Sequence, residues 1–348
     1  MEKVNVMREP TWSYTKLNYS KKAPSLNEKK AYKNFESSNE ENKSLDEIFS
    51  EKNYGLSKDF LKENKEFNNL DIYRDVDGER NLEFINLNLD ENSNQLVNKI
   101  DINAKKGSKS SFLINFSQTK GESSYLNSLI RVNLEEDSFV KLVVVVDLLE
   151  NSLNLQQVSS IIGDRANFDI SYIELGSDKS YVNIRNFLDG EESNLEENGI
   201  YFKQNEDFLD IGAFNDHKAK VTKSNCMFNG ALKGKAEKRW KGVVDLKRGC
   251  EHADGKIGDY AVMLSPDAIN RSAPVLLNEE KDVAGEHAAS VGRFDKAMLF
   301  YIMSRGFSKR KAESLMLEAN FAPTIDKIDH EELREKVRYK VHTMNTRD

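Results

Sequence analysis

The stretch "FVKLVVVVDLL", Phe139–Leu149, decides how the rest of the chain is read. It is the longest apolar run, and Lys141 and Asp147 interrupt it. A membrane-spanning helix needs roughly 20 apolar residues, so this run is far too short for one. Its valines favour a strand. Shorter runs of the same kind lie on both sides: "LEFINLNL" and "SFLINF" before it, then "QVSSIIG", "NFDISYIEL", "YVNIRNFL", "GIYFKQ", "FLDIGAF", "CMFNGAL", "WKGVVDL" and "YAVML". Asn, Asp, Gly, Ser and Lys separate them at intervals of roughly ten to fifteen residues, and no helical pattern of useful length intervenes. No proline stands between Pro24 and Pro266, as expected of strands that donate hydrogen bonds on both sides. Tight-turn pairs are few between the runs, as in "LDGE" near Gly190 and "HADGK" near Gly255. Many strands with few two-residue hairpins predict a mainly β protein built as a parallel β-helix; a β-sandwich is the structural alternative.

The flanks read differently. Residues 1–70 are polar and charged, with helical stretches but little apolar surface, which predicts a helical or partly flexible N-terminal arm. Residues 71–293 are the β-helix core and residues 294–348 a small C-terminal helical domain. "DKAMLFYIMSRG" ends on Gly306, a suitable C-terminal cap, and Ser308 is a suitable N-cap for "SKRKAESLMLEANF". Ala312, Leu315, Met316 and Ala319 fall on one helical face, Pro323 punctuates, and Asp329 with Glu332 has capping-box spacing. These helices are expected to cap the open last coil of the solenoid.

Lys+Arg 51 against Asp+Glu 58 leaves a net charge of −7, which argues against nucleic acid as a partner. "MEKVNVMREP" has no apolar leader-like core, and the two cysteines, Cys226 and Cys250, form no framework. A cytoplasmic setting without membrane contact is therefore expected. The chain has no phosphate-binding P-loop, no dinucleotide glycine motif, no nucleophile elbow and no H-E-x-x-H. A β-helix carbohydrate-active enzyme would need paired carboxylates on one face, whereas Asp207, Asp210 and Asp216 read as turn residues.

Few residues remain that carry chemistry. On a strand, Cys250 and His252 of "GCEH" would share a face, and thiolate and imidazole both suit iron or zinc. Cys226 reads as a buried inert thiol, His217 as a polar turn residue, and "KGKAEKRWKG" around Trp240 as a solvated basic turn. His287, in "GEHAASVGRFD", stands among small residues where another chain could approach, and Glu286 beside it could orient the ring or join in ligation.

The stretch from Ala261 to Phe321 resembles the C-terminal signature of the SufB/SufD family of iron–sulfur cluster assembly proteins. The resemblance rests on Met263, Leu264, Ser265 and Ala268; Pro274; Val283, His287, Ala289, Val291 and Gly292; Phe300, Tyr301, Ser304, Arg305 and Gly306; and Ala312, Leu315 and Phe321. "WSYTKL", Trp12–Leu17, resembles an element of SufD-type members, and "RWKGVVDLKRGC" a strand before the signature. The resemblance implies a right-handed parallel β-helix with helical regions at both ends. It implies a non-catalytic scaffold subunit that pairs with a SufB-like protein, or with itself, and docks a SufC-like ABC-type ATPase, which would hydrolyse the ATP. It implies a transient iron–sulfur cluster at a shared interface, with His287 as a metal ligand completed by the partner chain and Glu286 beside it. Phe300, Tyr301, Ser304, Arg305 and Gly306 match the ATPase-docking element. The cluster cysteine of SufB proteins is missing from "GDYAVMLS", and the nearest thiol is Cys250, outside the motif. A SufD-like subunit is therefore expected, with a SufB-like scaffold that binds the cluster itself as the alternative.

Overall fold

A computed structural model describes residues 2–8, 14–22, 24–35 and 43–346. Trp12 and Ser13 of the "WSYTKL" element, and residues 36–42 of the arm, lie outside the described residues. Sixteen strands among the described residues form two parallel eight-stranded sheets. One sheet takes β3 (Leu70–Val76), β5 (Gln95–Ala104), β7 (Tyr125–Leu134), β9 (Leu153–Ile162), β11 (Lys179–Leu188), β13 (Phe208–His217), β15 (Glu237–Leu246) and β17 (Ile269–Asn278). The other takes β4 (Glu79–Leu89), β6 (Lys109–Gln118), β8 (Phe139–Asp147), β10 (Asn167–Glu174), β12 (Asn194–Lys203), β14 (Lys223–Leu232), β16 (Asp254–Met263) and β18 (Ala284–Gly292). Each strand pairs with the strand two places along the chain, so the sequence winds as a β-solenoid of eight two-strand coils.

Alternation decides what each strand buries. Phe112, Leu142, Ile170, Val182, Ile211 and Trp240 point inward and belong to one continuous core running through the coils. The turns stack as regularly as the strands. Asp137, Arg165, Glu192, Val221 and His252 occupy matching turn positions, all with φ between 53° and 63°. Each turn's backbone N–H donates to a carbonyl of the next coil, as in Arg165 N to Glu191 O at 2.8 Å and Val221 N to Glu251 O at 2.9 Å. Asn tolerates this left-handed region best, and Asn151 and Asn205 fill it on the opposite edge.

Two flanking layers cover the sheets' outer faces. On the even-numbered sheet, Leu113, Val145 and Phe202 pack against Leu317, Phe321 and Ile325 of α3 (Lys309–Ile325) and against Val337 and Val341 of α4 (Glu331–Thr346). The helices therefore lie along the face of the solenoid and not over its last coil, contrary to the capping expected from sequence. The face that α3 buries also differs: Leu317 and Phe321 are buried while Ala319 is exposed, because α3 is apolar on two sides and the larger side chains take the sheet. Pro323 lies inside the last turns of α3 and does not end it. Ser308 is the N-cap as expected, but α4 is capped by His330, whose Nδ1 accepts from Leu333 N at 3.3 Å. Asp329 instead binds Lys141 at 2.5 Å.

The odd-numbered sheet is covered by the N-terminal arm. Only one helix is found among its described residues, α1 (Lys58–Phe67), capped by Ser57; the rest is extended chain and turns, with β1 (Glu2–Val4) antiparallel to β2 (Ser20–Lys22). Val4, Leu56 and Phe60 bury Leu155 and Tyr181, and Met7 and Leu17 bury Phe214 and Val243. Buried polar contacts fasten it. Asn5 Nδ2 donates to Asp210 Oδ1 at 2.5 Å, Ser20 donates to the other oxygen, and Lys241 Nζ meets both oxygens at 2.8 and 2.6 Å. Arg8 reaches Asp245 at 2.8 Å and Glu279 at 2.7 Å. Asp210 and Lys241 are thus a fully buried ion pair; neither is the turn residue expected from sequence.

The two ends of the solenoid are unlike. Tyr32 and Phe35 of the arm pack on the core at the first coil, and the Tyr32 hydroxyl donates to Asn88 O at 2.9 Å. At the other end β17 and β18 are the last strands of their sheets, and no described strand pairs with their free edges. Pro274 sits within β17, on a sheet edge, where a missing N–H is tolerated.

Candidate functional site

The uncovered end is built from β17 and β18. Register places His287 opposite Ile257 of β16, and the same row continues through Cys226, Glu197, Ile170, Leu142 and Phe112. Every member behind His287 is buried in the solenoid interior. His287 therefore tops an inward-facing row at the open mouth, where it is exposed only because no further coil follows. Ala289 and Val291 follow on the same side of β18, and Val291 is 56% exposed despite its apolar side chain. Gly285 approaches Leu276 of β17 so closely that a Cβ there would lie 2.6 Å from its Cδ2. The small residues noticed in the sequence thus flatten this surface.

Glu286 does not join His287. Successive strand residues face opposite ways, and Glu286 turns outward to bind Lys256 at 3.1 Å. Cys250 and His252 also fail to converge. They lie in the turn between β15 and β16, not on a strand. Cys250 is buried in the core, where burial raises its thiol pKa. His252 fills the left-handed turn position, with its N–H donating to Asp282 O and its Nδ1 3.0 Å from Asp282 Oδ2. Among the described residues no group of three or more His, Cys, Asp or Glu side chains could hold a metal ion. His287 is the one candidate ligand whose side of the strand faces the mouth.

The interior behind the mouth is polar, which the sequence did not reveal. Cys226 is buried as expected, but it is hydrogen-bonded to Glu197, which also accepts from Asn186 Nδ2 at 3.1 Å. Burial pushes the Glu197 carboxyl up to about 7 and raises the Cys226 thiol further from ionisation. Nearer the mouth, Lys238 pairs with Asp259, which also accepts from Tyr201 Oη at 2.9 Å and from Ser272 Oγ of β17 at 2.5 Å. Lys238 and Trp240 are buried β15 residues, so "KGKAEKRWKG" is a strand in the main and not a solvated turn. His217 is likewise interior, bonded to Thr222 Oγ1 at 2.7 Å and Ser224 Oγ at 2.8 Å, and burial pushes its pKa down to about 4.

Beyond β18, Asp295 caps α2 (Lys296–Ser304) by accepting from Met298 N at 2.7 Å. This helix buries none of its residues. Phe300 is 73% and Tyr301 54% exposed, with Met298 and Met303 also bare. Arg305 stacks on Tyr301, 5.0 Å from the ring centroid, and donates to its hydroxyl at 3.0 Å. Ser304 Oγ bonds Tyr301 O, and Gly306 at φ 94° ends the helix. An apolar helix left in water is an interaction element by physical default. No helix among the described residues is long and apolar enough to cross a membrane.

Comparison with known proteins agrees with this geometry. Residues 87–320 match the family model described as SUF system FeS cluster assembly, SufBD core domain. The chain is 32% identical over 121 residues to the iron–sulfur cluster assembly protein SufD of Bacillus subtilis, covering 35% of this chain and 28% of that protein. It is 29% identical over 203 residues to an iron–sulfur cluster assembly SufBD family protein of Mycobacterium tuberculosis, covering 56% and 51%. It is 26% identical over 227 residues to the SufD protein of Plasmodium falciparum, covering 65% and 15%. The chain thus spans about half or less of the length of these relatives. The solenoid from its second coil onward, its signature strand β18 and the exposed α2 all fall within the matched region, and the chain belongs to the SufB/SufD family of iron–sulfur cluster assembly proteins, as a SufD-like member.

Proposed function

We propose that this chain is a non-catalytic SufD-type subunit of an iron–sulfur cluster assembly scaffold. The observation that carries the reading is His287 at the top of an inward row, on a terminal coil whose free edge pairs with no described strand. β18 offers a free strand edge, small side chains and one imidazole; a SufB-like chain with the same kind of coil end would complete both the sheet and the ligand set. The nascent cluster is cargo at that seam. A single neutral imidazole cannot hold it, so the remaining ligands come from the partner. Glu197 and Cys226 are too deep and too firmly bonded to each other to serve directly.

The exposed face of α2 receives a SufC-like ATPase, with Phe300 and Tyr301 as apolar anchors and Arg305 holding Tyr301 in place. ATP-driven motion of the ATPase reaches the seam through the three-residue link between β18 and α2, Arg293–Asp295. The test is co-expression with SufB-like and SufC-like partners. The three chains are expected to co-purify, and His287→Ala to leave the complex assembled while lowering cluster content roughly tenfold or more. Unchanged cluster content would overturn the role of His287, and a free chain that ignores both partners would overturn the assembly reading.

A further inference from the structure

Under the N-terminal arm, on the outer face of the odd-numbered sheet, lies a cleft of about 480 Å³. This is within the usual size of small-molecule sites, on the order of 300–1,000 Å³. Four cations line it: Lys16 and Lys21 from the arm, Lys179 from β11 and Arg239 from β15. Three aromatic rings complete the wall: Tyr19, Tyr181 and Phe208.

Two of the four cations have partners, Lys179 with Asp178 at 3.8 Å and Arg239 with Glu237 at 2.8 Å. Among the described residues no carboxylate forms an ion pair with Lys16 or Lys21. Glu237 is shared between Arg239 and Arg271, and Asp210 is consumed by Lys241. Lys22, beside the cleft, has its pKa lowered by burial and by Lys179, against the opposing charge of Glu63. In a chain of net charge −7 the cleft thus keeps an excess of positive charge beside aromatic rings, which favours entry of an anion. Tyr181 and Phe208 have centroids 5.5 Å apart with planes tilted by 50°, and the Arg239 guanidinium stacks 5.2 Å from the Phe208 centroid, so planar groups already gather at the Phe208 ring.

We propose that this cleft binds a phosphorylated aromatic heterocycle of nucleotide size, its ring against the half-buried Phe208 and its phosphate on Lys16, Lys21, Lys179 and Arg239. The site lies on the opposite sheet from β18 and stands apart from the assembly reading. Because its cations come from both arm and sheet, an occupant also ties the arm down.

The experiment is calorimetric titration of the full chain with ADP, adenosine and pyrophosphate at low and moderate salt. Saturable ADP binding is expected, weakened by salt and stronger than for either fragment. Lys179→Glu and Lys21→Glu should each weaken ADP roughly tenfold, whereas Lys235→Glu, an equal charge change elsewhere, should not. Phe208→Leu should weaken ADP and spare pyrophosphate. The exposed lysine variants are expected to keep the native melting temperature, so a loss is not unfolding. No saturable ADP binding up to millimolar concentration, or equal loss in Lys235→Glu, would overturn the site; equal binding of ADP and pyrophosphate with no effect of Phe208→Leu would overturn its aromatic half.

Discussion

Two interior groups of this solenoid set opposite pH dependences. Burial pushes Glu197 up to about 7 from an ordinary 4.5, so the folded chain keeps a proton that the unfolded chain loses. Its contribution is present below 4.5 and lost as pH rises through 7. His217 is pushed down to about 4 from 6.5, so the unfolded chain takes up a proton that the folded one refuses. Its contribution is present above 6.5 and lost as pH falls through 4. The shifts are of similar size, each on the order of 3 kcal/mol at full effect, and nearly cancel in the wild type. Glu197→Gln should therefore make stability rise with pH between 4.5 and 6.5, and His217→Gln should make it fall. Urea midpoints across that range check this; parallel slopes in the two variants would refute it. Neither group was legible in the sequence. Lys241 meets Asp210 31 residues away, one coil back, and His217 finds Ser224 only because the chain turns inward there. A linear reading sees alternation but not which coil-neighbour shares a row. His287 stood out in the sequence because its small neighbours and the family signature stand beside it, and its place at the end of an inward row became visible only with the coils stacked.

At the scale of elements, the strands declared themselves and the turns did not. Val-rich runs and absent proline are enough to find the strands, because each strand's pattern is local, but they leave a sandwich open beside the solenoid. Cys250 and His252 were misplaced on a strand, since a left-handed turn position looks like any polar residue until the coils are stacked. The helices were found, but the buried side of α3 was not, because two of its sides are apolar and only the sheet chooses between them. Their energetics separate cleanly. Phe321, buried between α3 and the sheet, should cost roughly 3–5 kcal/mol when cut to alanine. Phe300→Ala and Tyr301→Ala on bare α2 should shift stability by less than about 0.5 kcal/mol. Thermal melts distinguish the two classes. If the α2 variants also lose the co-purifying ATPase, the docking role holds; retained ATPase would refute it.

For the whole molecule, the arm and the helices convert a stack of coils into one cooperative body. A bare solenoid touches only nearest neighbours and can fray from its ends. Here the arm crosses several coils through Asn5, Arg8, Asp46 and α1. Lys241→Ala would strand Asp210 as a buried lone charge, a loss of roughly 3–5 kcal/mol. Replacing both, as Asp210→Leu with Lys241→Met, should restore folding yet leave Asn5 and Ser20 without their acceptor. The double variant is expected to keep the strand signature in circular dichroism while residues 2–22 become protease-sensitive. Protection of that segment equal to wild type would show that the apolar contacts of Val4 and Met7 suffice.

Arg8 closes on Asp245 and Glu279, partners 237 and 271 residues further along. In a cell, the segment around Arg8 is thus made well before its partners and is late to find its seat. At roughly 5–20 residues per second, a ribosome needs on the order of ten to fifty seconds to deliver those partners. During that interval the apolar residues of the leader stand without their sheet, and the odd-numbered face of each nascent coil stands without its cover. A newborn chain is therefore a natural client for a holding chaperone near its N-terminus, and the tempo of translation becomes part of how this solenoid is assembled.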